Sequence, residues 1–200
     1  MSDKEYVTYK TPVFRVHYPN VFTPRAQKEG QAAKYSVMAI WTPADFSAVD
    51  KKRWKELKAA MNAASEKRFG KVMKDLPRTF KLGLRDGAEK EDIEACGPGT
   101  IFANLTTKNA PGIIGPDGLK LSLEEGNDDE FYAGCYARAT VNIYTYDNEG
   151  KGLALGLNNL MKVKDGEVIE IGAQRNARDD FADDVGEVDA DDDEDSGFLD

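Results

Sequence analysis

Tyr132, Tyr136 and Tyr144 stand an even number of residues apart in the stretch EFYAGCYARATVNIYTY at 130–146, with Arg138 between them. In a strand, successive side chains point to opposite sides. Phe131, Ala133, Cys135, Ala137, Ala139, Val141 and Ile143 then form an apolar face. The opposite face carries Tyr132, Gly134, Tyr136, Arg138, Thr140, Asn142, Tyr144 and Tyr146. Flat π surfaces beside a fixed cation are the chemistry that holds an unpaired nucleobase and its phosphate, stacking being worth roughly 1–3 kcal/mol per base whatever the base. The stretch TIFANLTTK repeats the mixture, with Ile101, Ala103 and Leu105 facing inward and Phe102, Asn104, Thr106 and Lys108 outward; Lys34 adds a third cation. A structural reading competes, in which the tyrosines pack beneath a loop or helix with their hydroxyls bonded at the edge. Arg138 in the middle of that face argues against a dry second core.

These residues must be positioned by short strands. YVTYKTPVFRVHYPNVF, broken by Pro12 and Pro19, predicts one or two strands, and KYSVMAIW predicts another, apolar on both faces. TPAD predicts a helix start with Thr42 as N-cap and Pro43 at the first position. The helix should run from residue 50 to about residue 74, with Trp54, Leu57, Met61, Ala64 and Val72 on its apolar side and lysines and arginines crowding the rest. RDGAEKEDIEACGPG is an excursion, IIGPDGLKL a hairpin, and LALGLNNLMKV a last strand with Leu153, Leu155 and Leu157 on one face. The pattern is mainly β: a five-stranded OB-type Greek-key barrel with one long helix, extended loops and a disordered acidic C-terminal tail. The helix of such a barrel usually lies between its third and fourth strands, and a divided N-terminal strand would bring the count before the helix to three.

The net charge of −9 is unevenly placed. Residues 179–200 hold twelve acids and no Lys or Arg, leaving 27 basic against 24 acidic residues over 1–178. The expected organisation is a nucleic-acid-binding domain at 1–178 and an acidic interaction tail at 179–200. No apolar run is long enough to span a bilayer, and the basic-then-apolar order of a secretory leader is absent, so a cytoplasmic protein without membrane partners is expected. Cys96 and Cys135 are expected to be reduced thiols, and a lone His17 supplies neither a metal cluster nor a catalytic triad. DADDDEDSG lacks the spacing of a calcium loop, NEGKG that of a phosphate loop. Neither an enzyme nor a cofactor or metal is expected.

The segment EFYAGCYARATVNIYTYDNEGKGLALGLNNLMKVKDGE, with FYAGCY followed by GLNNLMKVKDGE, resembles the C-terminal half of phage single-stranded DNA-binding proteins first catalogued as a domain of unknown function; VHYPNVF is similar to their opening strand. The resemblance covers residues 10–172. It implies an OB fold, sequence-independent binding that coats and protects single-stranded DNA in phage replication, recombination and repair, and a cytoplasmic setting in the infected host. It also implies a tail, here Asp191, Asp192, Asp193 and Phe198, that regulates DNA binding and recruits phage or host replication and recombination proteins. Tails of this kind commonly close on phenylalanine, whereas here Leu199 and Asp200 follow Phe198. Tyr132, Tyr136, Tyr144 and Phe102 would stack bases, with Arg138, Lys108 and Lys34 near phosphates, in a monomer or weak homo-oligomer. Two other readings fit the same residues: a protein whose acidic tail mimics DNA to occupy a partner, and an RNA-binding OB module, which composition does not separate from a DNA-binding one.

Overall fold

The alternating stretch becomes a strand only from Tyr136 onward, β7 (Tyr136–Tyr146). The five residues before it are irregular, and Gly134 adopts φ 105°, a left-handed conformation that only glycine takes without strain. The inward set is nevertheless as expected: Phe131, Cys135, Ala137, Ala139 and Val141 all lie in the core. The computed structural model describes residues 7–26, 29–147 and 150–170, all but the last within a compact unit, Met1–Ile169. The expected boundary at 178/179 and the tail residues Asp191, Asp192, Asp193 and Phe198 lie outside the described residues.

The other strands are β1 (Thr8–Lys10), β2 (Phe14–Arg25), β3 (Lys34–Trp41), β4 (Arg85–Asp86), β5 (Ile101–Thr107), β6 (Gly112–Ile114) and β8 (Gly152–Lys164), with one long helix, α1 (Ala48–Phe69). β2 pairs antiparallel with β3, β3 with β5, β8 with β7 and β7 with β2, while β5 meets β8 in parallel, so five strands close into a ring. This is the OB-like barrel that the alternation predicts. β1 and β2 run along the same partner, Tyr9 opposite Val141 and Phe14 opposite Ala137. They are one strand interrupted at Pro12, which has no N–H to give. Thr11 bridges the gap: its N–H donates to Ala139 O at 2.9 Å, and its hydroxyl accepts from the Ala139 N–H at 3.0 Å. The N-terminal strand is thus divided, yet it counts once. α1 therefore follows the second barrel strand rather than the third.

Thr42 and Pro43 open only a single 3-10 turn, and the N-cap of α1 is Ser47. Its hydroxyl accepts from the Asp50 N–H at 3.1 Å and donates to Asp50 Oδ2 at 2.7 Å, a reciprocal cap. The helix stops at Phe69 because Gly70 takes the left-handed conformation at φ 70°, five residues short of the expected end. Trp54, Leu57 and Met61 join the barrel interior, alongside Phe14, Val16, Val37, Ala39, Trp41, Leu105 and Leu155. Truncating one such side chain to alanine costs about 2–5 kcal/mol.

β3 is apolar on both faces because both are covered. Val37, Ala39 and Trp41 fill the barrel, whereas Met38 and Ile40 lie outside it with Phe102, under Ile93, Ala95 and Cys96 of the excursion. Among the described residues no helix is long and apolar enough to cross a membrane.

Candidate nucleic-acid interface

The outward residues of β2, β3 and β5 fall into rows fixed by strand register. Arg15 stands opposite Ile40 and Ile40 opposite Phe102; His17 opposite Met38 and Met38 opposite Asn104; Asn20 opposite Ser36 and Ser36 opposite Thr106. The first row is roofed by the excursion. In the second row His17 and Met38 are buried and Asn104 is exposed, and the third row is only partly covered; beside them runs a groove of about 590 Å³ whose walls include Tyr18, Asn20, Arg25, Ser36, Met38, Arg85, Lys90 and Asn104.

Tyr18 is placed there by a bulge. Pro19 removes a ladder donor, the β2–β3 register shifts between His17 and Asn20, and Tyr18 takes φ 45°. Its ring, 42% exposed, leans on the His17 imidazole with centroids 4.2 Å apart. His17 is buried, and its Nδ1 has no partner among the described residues. Burial lowers its pKa and Arg15 acts in the same direction, while Glu94 opposes them. The net shift favours the neutral imidazole, on which the Tyr18 ring leans.

The residues named from the sequence do not form one platform. Tyr132 precedes β7 and is pinned: its hydroxyl donates to Gly166 O (2.9 Å) or Asp165 Oδ1 (3.1 Å) and accepts from the Gly166 N–H (3.2 Å), with Lys162 Nζ 5.4 Å from the ring centre. Lys162 is buried, but its ion pair with Asp165 at 2.8 Å outweighs desolvation and raises its pKa. Tyr136 lies at the β2 side, flanked by Arg15 (6.0 Å) and Lys164 (4.5 Å). Tyr144 is exposed on the outer arm of the β7–β8 hairpin, about 26 Å along the strand from Tyr136 at the usual rise per residue.

Arg138 reaches from β7 to the first turn of α1 and pairs with Asp50 at 3.1 Å. Burial pushes the Asp50 carboxyl up, but bonds from Ser47, the Val13 N–H and Arg138 together hold it below the usual carboxylate range. Phe102 faces outward as expected but is 1% exposed, beneath the Arg85 guanidinium at 5.0 Å. Lys34 and Lys108 are exposed and come together at one edge of the groove, since Tyr35 pairs with Thr107, and Arg25 pairs with Lys34 there.

The groove residues that strand alternation did not single out are Tyr18, Asn20, Arg25, Arg85 and Lys90, whereas Asn104 is outward as expected. The available signal was Pro19 inside a β pattern, which marks a bulge that re-aims its neighbour. Both cysteines are free; burial pushes the Cys135 thiol up to about 11, which leaves it unreactive. Among the described residues no three His, Cys, Asp or Glu side chains converge to hold a metal.

The protein of Enterobacter phage Enc34 described as a single-stranded DNA-binding protein in complex with ssDNA superposes with a TM-score of 0.66 at 22% identity, over 82% of this chain and 89% of that one. Its C-terminally truncated form superposes with a TM-score of 0.67 at 17% identity, over 81% and 88%. At these identities the likeness establishes the shared fold. Protein p50 of Acyrthosiphon pisum secondary endosymbiont phage 1 is 28% identical over 167 residues, 79% of this chain and 84% of that one. The family described as "Enterobacter phage Enc34, ssDNA-binding protein" matches residues 7–196, nearly the whole sequence. The chain belongs to that family of phage single-stranded DNA-binding proteins, which are binding proteins and not enzymes.

Proposed function

We propose that this protein coats single-stranded DNA without regard to sequence, along the outer groove of β2, β3 and β5, and so protects it during phage DNA replication, recombination and repair in the cytoplasm of the infected host. The observation that carries the reading is the groove itself, an open concavity with Tyr18 on one wall, Met38 in its lining and arginines and lysines around it. A base stacks on Tyr18, which is sequence-tolerant because every base has a π face. Asn20, Ser36 and Asn104 offer hydrogen bonds to base edges or sugars, and Arg25, Lys34, Lys90 and Lys108 neutralise phosphates. Tyr136, between Arg15 and Lys164, prolongs the surface at one end. Phe102 supports Arg85 from below, and Arg138 and Tyr132 hold the barrel together. The shared fold of the Enc34 protein described in complex with ssDNA supports this reading.

Fluorescence titration with oligo-dT, oligo-U and duplex DNA at several salt concentrations tests it. Single-stranded DNA is expected to bind tightest, with a log–log salt slope of about −3 for four phosphate contacts. Preference for oligo-U would make this an RNA-binding module, and affinity independent of salt would remove nucleic acid as the ligand.

The acidic residues 179–200 are proposed to compete with DNA for these cations and, once displaced, to recruit replication and recombination proteins. Two groups joined in one chain meet at an effective concentration that can reach the order of millimolar, enough for weak contacts to count. Truncation before Asp179 should therefore tighten binding, most at low salt where screening is weak, and abolish partner pull-down. Equal affinity at low ionic strength would refute the competition.

A further inference from the structure

Between α1 and β4 the chain runs through residues 70–84 with a single 3-10 turn, Met73–Asp75, as its only regular structure. Segments this long without elements of their own are uncommon in compact domains and are usually functional or disordered. This one is anchored. The Ser65 hydroxyl donates to Lys71 O at 2.6 Å, the Met73 N–H to Asn62 Oδ1 at 3.0 Å, and Phe80 packs edge-on against Phe69 at 5.0 Å. At the far end Lys81 exchanges backbone bonds with the turn end of the β7–β8 hairpin: its N–H donates to Lys151 O (2.9 Å) and its carbonyl accepts from the Leu153 N–H (3.0 Å).

From 71 to 85 the sequence carries Lys71, Lys74, Arg78, Lys81 and Arg85 against the single acid Asp75. Arg85 pairs with Glu89. Lys71, Lys74, Arg78 and Lys81 are exposed and enter no ion pair among the described residues, in contrast to Arg138, Lys162 and Arg68, each matched to an aspartate. Lys74, Arg78 and Lys81 line a second concavity of about 690 Å³, and Arg85 borders both this concavity and the base groove. Asp86 and Glu89 also line it, so its cations lie on the 74–85 side.

We infer that Lys74, Arg78 and Lys81 form a second phosphate-binding stretch, which carries the strand beyond Arg85 and lengthens the footprint on DNA. A backbone tied to α1 at one end and to the barrel at the other holds these cations in place before DNA arrives, so little ordering cost is met on binding. The inference rests on the groove reading, since the second stretch continues from the groove.

The test is fluorescence anisotropy with labelled oligo-dT of about 8 and about 30 nucleotides, chosen to fall within and beyond one OB unit's usual range. The full chain is compared with Lys74→Gln/Arg78→Gln/Lys81→Gln and with a control that removes three exposed α1 cations, Lys51→Gln/Lys52→Gln/Lys55→Gln. On the long oligonucleotide the first triple variant should lose roughly tenfold in affinity and flatten the salt slope by about two units, with the short one unaffected. Equal losses on both lengths, equal losses from the control, or no loss at all would each overturn the second stretch. Failure of the unaltered protein to bind oligo-dT would instead overturn the groove. Should the triple variant melt early, the single substitutions Lys74→Gln and Arg78→Gln decide by the same length comparison.

Discussion

Asp50→Ala is expected to destabilise the fold by about 3 kcal/mol, the lower end of the range for stripping a buried charge of its partner, which for a domain of this size lowers Tm by about 6–12 °C. Three elements meet at this carboxylate: it accepts from the Val13 N–H (3.3 Å) beside β2, from the Ser47 hydroxyl (2.7 Å) that caps α1, and from Arg138 (3.1 Å) on β7. The side chains of Arg138 and Asp50 are 24% and 10% exposed, so alanine leaves the guanidinium short of a counter-charge where water only partly replaces it. Because the folded carboxyl titrates below its ordinary value, the folded state takes up a proton less readily than the unfolded chain. The stabilisation is fully present above the unfolded pKa, about 3.9, and is lost as pH falls through the lower folded pKa. Thermal melts should therefore show a gap between wild type and variant at neutral pH that closes below about pH 4. A variant that melts with the wild type at pH 7 would show the pair to be energetically idle and would free Arg138 to serve DNA.

The second large effect is on binding. Tyr18→Ala should weaken single-strand affinity by roughly 1–3 kcal/mol, about 5- to 150-fold, while leaving the melting temperature nearly unchanged. The ring is exposed and leans on His17, and alanine bears the same left-handed backbone cost as tyrosine, so the bulge is conserved. Tyr132→Ala should do the reverse, costing stability through the loss of the Asp165 and Gly166 bonds while affinity holds. Oligo-dT titrations and melts of Tyr18→Ala, Tyr132→Ala, Tyr136→Ala and Tyr144→Ala together locate the platform. If Tyr144→Ala lost affinity and Tyr18→Ala did not, the bases would lie along β7 and not in the groove.

Much of the fold was legible before any coordinates. Side-chain period in a strand is 2 whatever its neighbours, so Ala103 and Leu105, Ala137 to Val141, and Leu153 to Leu157 declared their inward faces, and Trp54, Leu57 and Met61 declared a helix stripe. The resemblance of residues 130–167 pointed to the family. The limits were also local. Residues 42–45 carry a plausible cap, but the stronger reciprocal bond between Ser47 and Asp50 starts α1 five residues later. Residues 131–135 alternate as a strand, yet Gly134 turns the backbone out of one.

What the tertiary structure alone decided is which outward face stays open. Alternation tells inside from outside on each strand but is silent about what later covers the outside. Phe102 was outward and aromatic, and became floor because the excursion lies over the first row of β3 and β5. Arg138 was outward and cationic, and became an anchor because α1 begins within reach of it. Tyr18 became exposed because Pro19 breaks the ladder beside it and the barrel closes with that bulge at the groove. Coverage depends on contacts between residues far apart in the chain, and a period read along one strand carries no information about them.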